Sequence, residues 1–499
     1  MAMTGWWIMV VALVAQAQSG VMLSEDESIL LEEGVLIASE AALPAAPSLE
    51  LRFTVTLPAD GAGMGVMLCP DAPTAPDQWE EPSRAGCLGI GIDTHNPPGE
   101  DPFDAVGNIY GHPEREVSLH WDGREVANRR ADPAFEVGQP LECAVRIEYV
   151  PGGAEFSVTI GESRVYEGEF VPAVLASAGW ITAGASPTEQ TPGVPVVEGF
   201  RWSIGDGVPP DGPAATVAVF EDVVLHQESQ TTERILDLPE LDDARIILTL
   251  TLERPAAGWD PWDRRASVYA WTDEGERVEI LRWITPYSRE WVWRADVTDY
   301  AHLLRGPTRL AAHCQAWGTE EKPEGFTGFQ VSINLDYYAG HESPQPFAIK
   351  NLWVGSPEYG NPDSPLDEWF EPLTVEAPEG ATSAKLRFWV TGHGMAHQNA
   401  AEFMPADRTV TVNGQVWTNT LWYSECYLNP CRPQGGTWKY ERAGWAPGAL
   451  VRPWDIDVTE SLGPDGALRI EYDPMDYVNE ARAERLADHW VEAQIIFYR

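Results

Sequence analysis

Lysine is nearly missing from this chain: four in 499 residues, at Lys322, Lys350, Lys385 and Lys439. Arginine therefore supplies almost all the positive charge, and it is outnumbered, with 33 basic against 77 acidic residues and a net charge of −44. A surface that negative repels phosphate backbones and anionic lipid, so nucleic acid and membrane surfaces are poor partners, whereas a neutral sugar is not repelled. Cysteine is scarce too. Six residues are too few to define the scaffold, although Cys69 with Cys87, or Cys426 with Cys431, would each close a short loop in an oxidising compartment. The pairing itself stays open. Cys143 falls on the alternating run Leu141, Cys143, Val145, Ile147, Tyr149 and reads as core. The one marked apolar run, residues 5–15 (GWWIMVVALVA), is too short to span a bilayer, and Ala15-Gln16-Ala17 after it has the small-residue spacing of a secretory cleavage site. Residues 1–17 thus read as a signal peptide, and no later segment has the length and apolarity of a membrane span. The expected location is secreted, periplasmic or extracellular.

Helical periodicity is the other absence. With 41 Pro and 44 Gly, the chain is punctuated for strands and turns, and only 478–488 (VNEARAERLAD) offers a short helix. The length implies about three domains. A Pro/Gly linker, GDGVPPDGPAAT at 205–216, and a weaker joint at 355–365 divide the chain into 18–204, 217–357 and 366–499. The first segment holds short alternating runs (LELRFTVTL, CLGIGID, EVSLHW, CAVRIEYV, EFSVTI), the pattern of a lectin-like, concanavalin-like β-sandwich. Its stretch GIDTHNPPGEDPFD loosely resembles the metal loop of legume-type lectins, with Asp93, Asn96 and Asp101 as oxygen donors; a solvated, Pro-rich loop is the preferred reading. The other two segments repeat the alternation and are each expected to form an antiparallel jelly roll. The fold class is all-β.

Nucleotide motifs such as GxxxxGK[ST] are absent. His393 and His397 have zinc-helix spacing, but Gly392 and Gly394 disfavour a helix and no Glu follows His393, so the stretch reads as a polar turn. Carboxylates beside aromatics stand out instead: Asp260 and Asp263 alternate with Trp259 and Trp262, Gln315 and Trp317 follow the run LAAHC, and Glu402 lies in AAEFMPADR. Aromatic faces with acids suit a sugar, whose C–H face packs on a ring while its hydroxyls bond to oxygen. On composition alone, ordinary WD turns and buried tryptophans account for them better.

The passages ERPAAGWDPWDRRASVYAW, LRWITPY, DVTDYAHLL, TGHGMAHQNAAEFMPADRTVTVNG and QGGTWKYERAGWAPGALV resemble, in colinear order over about 217–499, the peptide-N-glycosidase F family. The resemblance implies two jelly rolls packed side by side and an amidase that cleaves the GlcNAc–Asn bond of N-glycans, with no metal and no cofactor. It places the catalytic acids at Asp263 and Glu402. Its substrate-binding set falls on Arg264, Trp262, Gln315, Trp317, Arg442, Trp445 and Asp260, the two arginines holding the acids or peptide carbonyls. The implied partner is an N-linked glycan or glycopeptide. Two departures stand out: Gln315 occupies the place of a third family acid, and the family's cysteines flanking the two acids are replaced by Arg254 with Trp259 and by Ala400 with Met404, while Cys426 keeps half of a third pair whose other position is Ala446. An amide can place water or sugar but cannot take a proton, so a glycan-binding protein that has lost turnover is the competing expectation.

Overall fold

The computed structural model describes residues 19–499 except 25–26, 33–35, 72, 74, 95–114, 318–326 and 464–465. The signal-peptide reading and the loop candidates Asn96 and Asp101 lie outside the described residues. The chain forms two compact units: one reaches to Gly212 and takes in Leu428–Arg432, the other comprises Pro213–Tyr427 and Pro433–Arg499. Among the described residues no helix is long and apolar enough to cross a membrane.

The first unit is a sandwich of a seven-stranded and a six-stranded antiparallel sheet. Period-two alternation builds it. In Ser48–Thr56 the side chains of Leu49, Leu51, Phe53 and Val55 turn inward, and in Pro140–Val150 Leu141, Cys143, Val145, Ile147 and Tyr149 do the same. Cys143 is thus a core residue, its thiol pushed up by burial. Cys69 and Cys87 are joined in a disulfide, whereas Cys314, Cys426 and Cys431 are buried thiols. The Cys426–Cys431 bridge does not form; the Cys426 thiol instead donates to the Tyr423 carbonyl at 3.6 Å. Asp93 ends the strand Leu88–Asp93 as a buried group rather than an open loop ligand, and burial beside Glu81 and Glu116 pushes its carboxyl well above the usual range. In the same unit the buried guanidinium of Arg432 meets Glu81 at 2.7 Å and Glu125 at 3.3 Å.

The second unit contains two sandwiches, each of two four-stranded sheets. In the first, Ala215–His226, Gly328–Ala339, Ala244–Glu253 and Trp291–Asp296 face Thr231–Leu238, Gly306–Cys314, Arg265–Trp271 and Arg277–Ile284. Ala215 and Thr216, placed in the linker by sequence, already pair with Tyr337 and Asp336. In the second sandwich, Pro346–Gly355, Asp488–Tyr498, Ser383–His393 and Trp454–Asp457 face Leu373–Glu376, Ala467–Pro474, Ala406–Val412 and Gln415–Leu421. The strand Pro346–Gly355 pairs with Asp488–Tyr498, so it belongs to the second jelly roll and not, as its position before the 355–365 joint implied, to the first. Residues 480–484 form turns, not a helix: the Asn479 carboxamide accepts from the Ala481 N–H at 3.1 Å and donates to the Arg485 carbonyl at 2.8 Å, competing with helical bonding.

The two jelly rolls share a polar seam. Arg282, fully buried, pairs with Glu279 at 2.6 Å, donates to the carbonyls of Trp389 and Trp490 at 3.2 Å each, and lies 3.6 Å over the Trp490 ring. The Trp293 indole donates to the Gly448 carbonyl at 2.9 Å, and the Tyr300 hydroxyl to Gln494 at 3.0 Å. Each of these bonds has fixed geometry, so the seam sets one register between the sandwiches where an apolar contact would tolerate sliding. Ile284, Trp389, Trp445 and Val451 form a small apolar cluster across it.

Candidate functional site

The stretch GWDPWDRR folds around Asp260. Its carboxylate is fully buried and accepts four bonds: from the backbone N–H of Trp262 (3.2 Å) and of Trp317 (2.9 Å), and from Arg264 Nε (2.8 Å) and Nη2 (3.1 Å). Asp260 is therefore no sugar ligand, and Arg264 holds Asp260 rather than the candidate acids. Together they fix the backbone at two tryptophans whose side chains remain 56% and 53% exposed, Trp262 and Trp317. Thr285 finishes the turn, accepting from the Arg264 N–H at 2.8 Å and donating to the Trp262 carbonyl at 2.9 Å.

Between these anchored residues, Asp263 reaches Tyr287, whose hydroxyl donates to Asp263 Oδ2 at 2.8 Å and lies 3.2 Å from Thr437 Oγ1. Tyr287 is itself fixed by its N–H to Gln434 Oε1 at 3.1 Å. Its ring packs on Gly436, where a Cβ would fall 2.9 Å from the ring and φ is +69°, so the second glycine of QGGT is required on both counts.

Glu402 comes from the other jelly roll, after the strand Ser383–His393. That strand leaves through Gly392, where a Cβ would meet the Ala401 carbonyl oxygen at 1.9 Å, and Gly394, at φ +88°. The Gly394 N–H then donates to Glu402 Oε2 at 3.0 Å. The second glycine of TGHG thus serves the acid directly. His393 bonds Thr391 at 2.8 Å and stacks on Trp445 with centroids 4.9 Å apart, while His397 pairs with Glu480 at 3.4 Å. Among the described residues no group of three or more His, Cys, Asp or Glu is arranged to hold a metal.

Arg442 brings the two acids together. Its guanidinium lies 3.4 Å from Glu402 Oε1 and 3.8 Å from Asp263 Oδ2. The remaining donors are spent on the carbonyls of Thr437 (2.9 Å) and Tyr440 (2.6 Å) and on Thr437 Oγ1 (2.8 Å). Buried, with the Trp445 ring 4.8 Å away, it positions carboxylates and has no face left for a peptide carbonyl. Trp445 is buried as well, its indole donating to the Gly392 carbonyl at 2.7 Å, so it supports Arg442 and not a ligand. Burial pushes both Asp263 and Glu402 above the ordinary carboxylate range; Arg442 opposes the rise at each, and the charge on Asp263 adds to it at Glu402.

Gln315 Oε1 accepts from Arg265 Nε at 3.3 Å. Its backbone N–H is tied to the Arg265 carbonyl at 3.0 Å. Tyr287, Thr437 and Gln434 lie in LRWITPY and QGGTWKYERAGWAPGALV, yet the sequence alone assigns them no role. The available signal was a tyrosine ending the apolar run LRWITPY beside a double glycine elsewhere.

In short, the structure brings Asp263, Glu402, Tyr287 and Arg442 together at one place, with Trp262 and Trp317 exposed on the Asp260 turn. The arrangement offers two carboxylates with raised proton affinity, one buried cation and two aromatic surfaces, the equipment of acid–base hydrolysis on a sugar-bearing substrate.

Residues 364–491 match the family model described as peptide-N-glycosidase F, C terminal. The chain is 26% identical over 322 residues, 60% of its length and 82% of the relative's, to peptide-N(4)-(N-acetyl-beta-D-glucosaminyl)asparagine amidase F of Elizabethkingia miricola. Among solved structures it is similar in fold to PNGase F, a glycosylasparaginase from Flavobacterium meningosepticum, with a TM-score of 0.51 and 24% identity, covering 57% of this chain and 95% of that one. A peptide-N(4)-(N-acetyl-beta-D-glucosaminyl)asparagine amidase structure at 2.2 Å gives a TM-score of 0.50 at the same identity, covering 57% and 96%. Taken with the all-β architecture, these matches make the chain similar to the peptide-N-glycosidase F family in the fold of its two jelly rolls, and in sequence to that family's C-terminal model over residues 364–491.

Proposed function

We propose that the protein is an amidase that releases intact N-glycans by hydrolysing the bond between the asparagine side chain and the first GlcNAc. The observation that carries this reading is the convergence of Asp263 and Glu402, from separate jelly rolls, on the guanidinium of Arg442. Asp263 is the candidate base. With Oδ2 tied to Tyr287, its other oxygen takes a proton from water, and the resulting hydroxide adds to the amide carbonyl. As the tetrahedral intermediate collapses, the proton held by Asp263 passes to the nitrogen, the C–N bond breaks with aspartate left on the peptide, and the released 1-amino sugar then takes up water and gives off ammonia. Glu402, held by the Gly394 N–H and Arg442, is the candidate partner for the amide nitrogen or the water. Trp262 and Trp317 are the surfaces on which the glycan core packs.

The test is incubation with a denatured N-glycoprotein and mass spectrometry of the sites for Asn converted to Asp. Conversion by the wild type, lost in Asp263→Asn, is the expected result. A second reading is a glycan-binding protein: Gln315, an amide that cannot take a proton, stands where the resemblance implies an acid. Sugar binding without any conversion decides for that alternative.

A further inference from the structure

The outer face of the first unit's six-stranded sheet is acidic, and the arginine it holds belongs to a segment that runs straight on into the candidate site. Period-two alternation turns Leu88, Ile90 and Ile92 of the strand Leu88–Asp93 into the core and leaves Gly89, Gly91 and Asp93 on the outer face. The glycines are required there. A Cβ at Gly89 would fall 2.2 Å from the Pro82 carbonyl oxygen and one at Gly91 2.0 Å from that of Glu80, so the segment 80–82 lies flat on the sheet and carries Glu81 over it. On the strand Glu116–Trp121, Glu116 stands opposite Asp93, and His120 opposite Glu125 of the strand Arg124–Arg130.

That arginine is Arg432. Its guanidinium, 12% exposed, reaches Glu81 at 2.7 Å, Glu125 at 3.3 Å and Glu116 at 3.8 Å, while His120 Nε2 lies 3.2 Å from the other Glu81 oxygen. Burial works against a charge on Glu81, but Arg432 and His120 hold its carboxyl below the ordinary range, so the pair stays ionic. Asn429 shapes the approach: its side-chain oxygen accepts the Cys431 N–H at 3.0 Å, an Asx turn that fixes where the next side chain leaves. Directly after Arg432, the chain serves the candidate acids. Gln434 accepts the Tyr287 N–H and donates to the Pro447 carbonyl at 2.8 Å, Gly436 seats the Tyr287 ring, and Thr437 bonds both the Tyr287 hydroxyl and Arg442. Gln434 follows Arg432 by two residues, at most about 7 Å of extended chain with a proline between, so little slack separates the grip from the bond to Tyr287.

We propose that Arg432 is a positioning residue for the reaction, gripped by the acidic face of the sandwich so that the segment 433–442 keeps the register in which Gln434 and Thr437 fix Tyr287 against Asp263. The inference rests on the amidase reading for the reaction it serves, though not for the anchoring itself. It gives the first unit a task that needs no sugar. Asp263 faces Tyr287, Arg442, Glu402 and the adjoining Arg264. The segment places two of these: the Tyr287 hydroxyl through Gln434 and Thr437, and Arg442 through the carbonyls of Thr437 and Tyr440. Both favour the charged form of Asp263, so slack in the segment raises further a proton affinity that burial has already raised.

Hydrogen exchange of the full-length wild type and Arg432→Ala, read by mass spectrometry, tests the anchor whether or not turnover occurs. The amides of 433–442 and of Tyr287 should exchange about tenfold faster in the variant, with those of the strand Ala244–Glu253 at the wild-type rate. Arg432→Ala leaves buried acids without their counterion; should it fail to fold, Glu81→Gln, 351 positions away in the chain, decides by the same amides. Unchanged exchange of 433–442 in the folded variant overturns the inference, as does exchange quickened equally along the whole chain. Turnover adds a signature that lost stability alone does not give. In Arg432→Ala, kcat on a glycopeptide should fall about tenfold at unchanged KM, and the acid limb of the kcat/KM profile should move about half a unit to higher pH. Combined with Tyr287→Phe, the limb should move by less than the sum of the two single shifts, and Arg432→Lys, which keeps the charge, should recover part of the rate. An unmoved limb overturns the positioning role. Failure of the wild type on every glycopeptide refutes the amidase reading and leaves the exchange result to decide the anchor.

Discussion

Replacing Asp260 by asparagine should damage the site without touching a candidate acid. In the native turn one carboxylate satisfies two N–H groups, those of Trp262 and Trp317, and both forks of Arg264. The carboxamide keeps a single acceptor oxygen and turns an –NH2 toward donors, so at least one backbone N–H and the Arg264 charge lose their partner. Removing one member of a buried ion pair costs about 3–5 kcal/mol. Arg264 retains some solvent, 19% side-chain exposure, which sets the expectation at the lower end, about 3 kcal/mol. At about 2 °C per kcal/mol for a unit of this size, the Tm should fall by roughly 6 °C. The variant should also lose glycan affinity at least as severely as Trp262→Ala, for which the loss of one aromatic surface worth about 0.5–1.5 kcal/mol implies roughly a two- to tenfold weaker Kd. Trp262→Ala and Trp317→Ala themselves should keep the wild-type Tm within about 1 °C, because their side chains are mostly in solvent. Differential scanning calorimetry with glycopeptide titration on the Asp263→Asn background reads both quantities. A Tm within 2 °C of wild type refutes the account of the ion pair, and a lowered Tm with unchanged affinity refutes the claim that Asp260 places the tryptophans.

Three further outcomes follow from the same geometry. Tyr287→Phe removes a hydrogen bond that favours the charged form of Asp263, so its proton affinity rises further; the acid limb of the kcat/KM profile should move to higher pH, with roughly a tenfold loss near neutrality. A limb that moves to lower pH contradicts Asp263 as the base. Gln315→Glu places a carboxylate beside Arg265 and, on the proposed amidase reading, should speed a slow enzyme, as read from initial rates of glycan release; a slower variant removes the case for an acid at this position. Glu492→Gln should flatten the pH dependence of stability. The native carboxyl holds its proton up to about 8 while the unfolded one releases it near 4.5, so wild-type stability falls as pH rises through that window, by about 1 kcal/mol per unit from this group, and urea titrations of the variant should show a correspondingly shallower slope, the other buried carboxyls such as Glu125 keeping their share.

The strands were legible because period-two alternation and turn residues act locally; Leu49 to Val55 and Leu141 to Tyr149 point inward as their spacing demands. The helix at 478–488 failed because Asn479 captures nearby backbone groups that a helix needs. Strand Pro346–Gly355 was assigned to the wrong sandwich because pairing, not sequence neighbourhood, decides membership. At the site, resemblance pointed to Asp263, Glu402 and Arg442, and these do lie together. It said nothing of which polar groups face inward. Asp260, Arg264 and Trp445 carry the residue types of a sugar site, yet their partners are protein atoms, a distinction that depends on burial and on contacts from distant segments such as Trp317 and Gly392. Tyr287 and Thr437 stayed silent for the converse reason, each becoming meaningful only once a loop from the other jelly roll reaches it.

The Asp260 turn separates holding from gripping. What is pinned at positions 262 and 317 is main-chain N–H, a group every residue but proline possesses, whereas the indoles project freely beyond it. Other side chains installed there inherit the same launch points with little penalty to the scaffold. Exchanging this pair therefore offers a route to retuned glycan preference that leaves the reacting groups where they are.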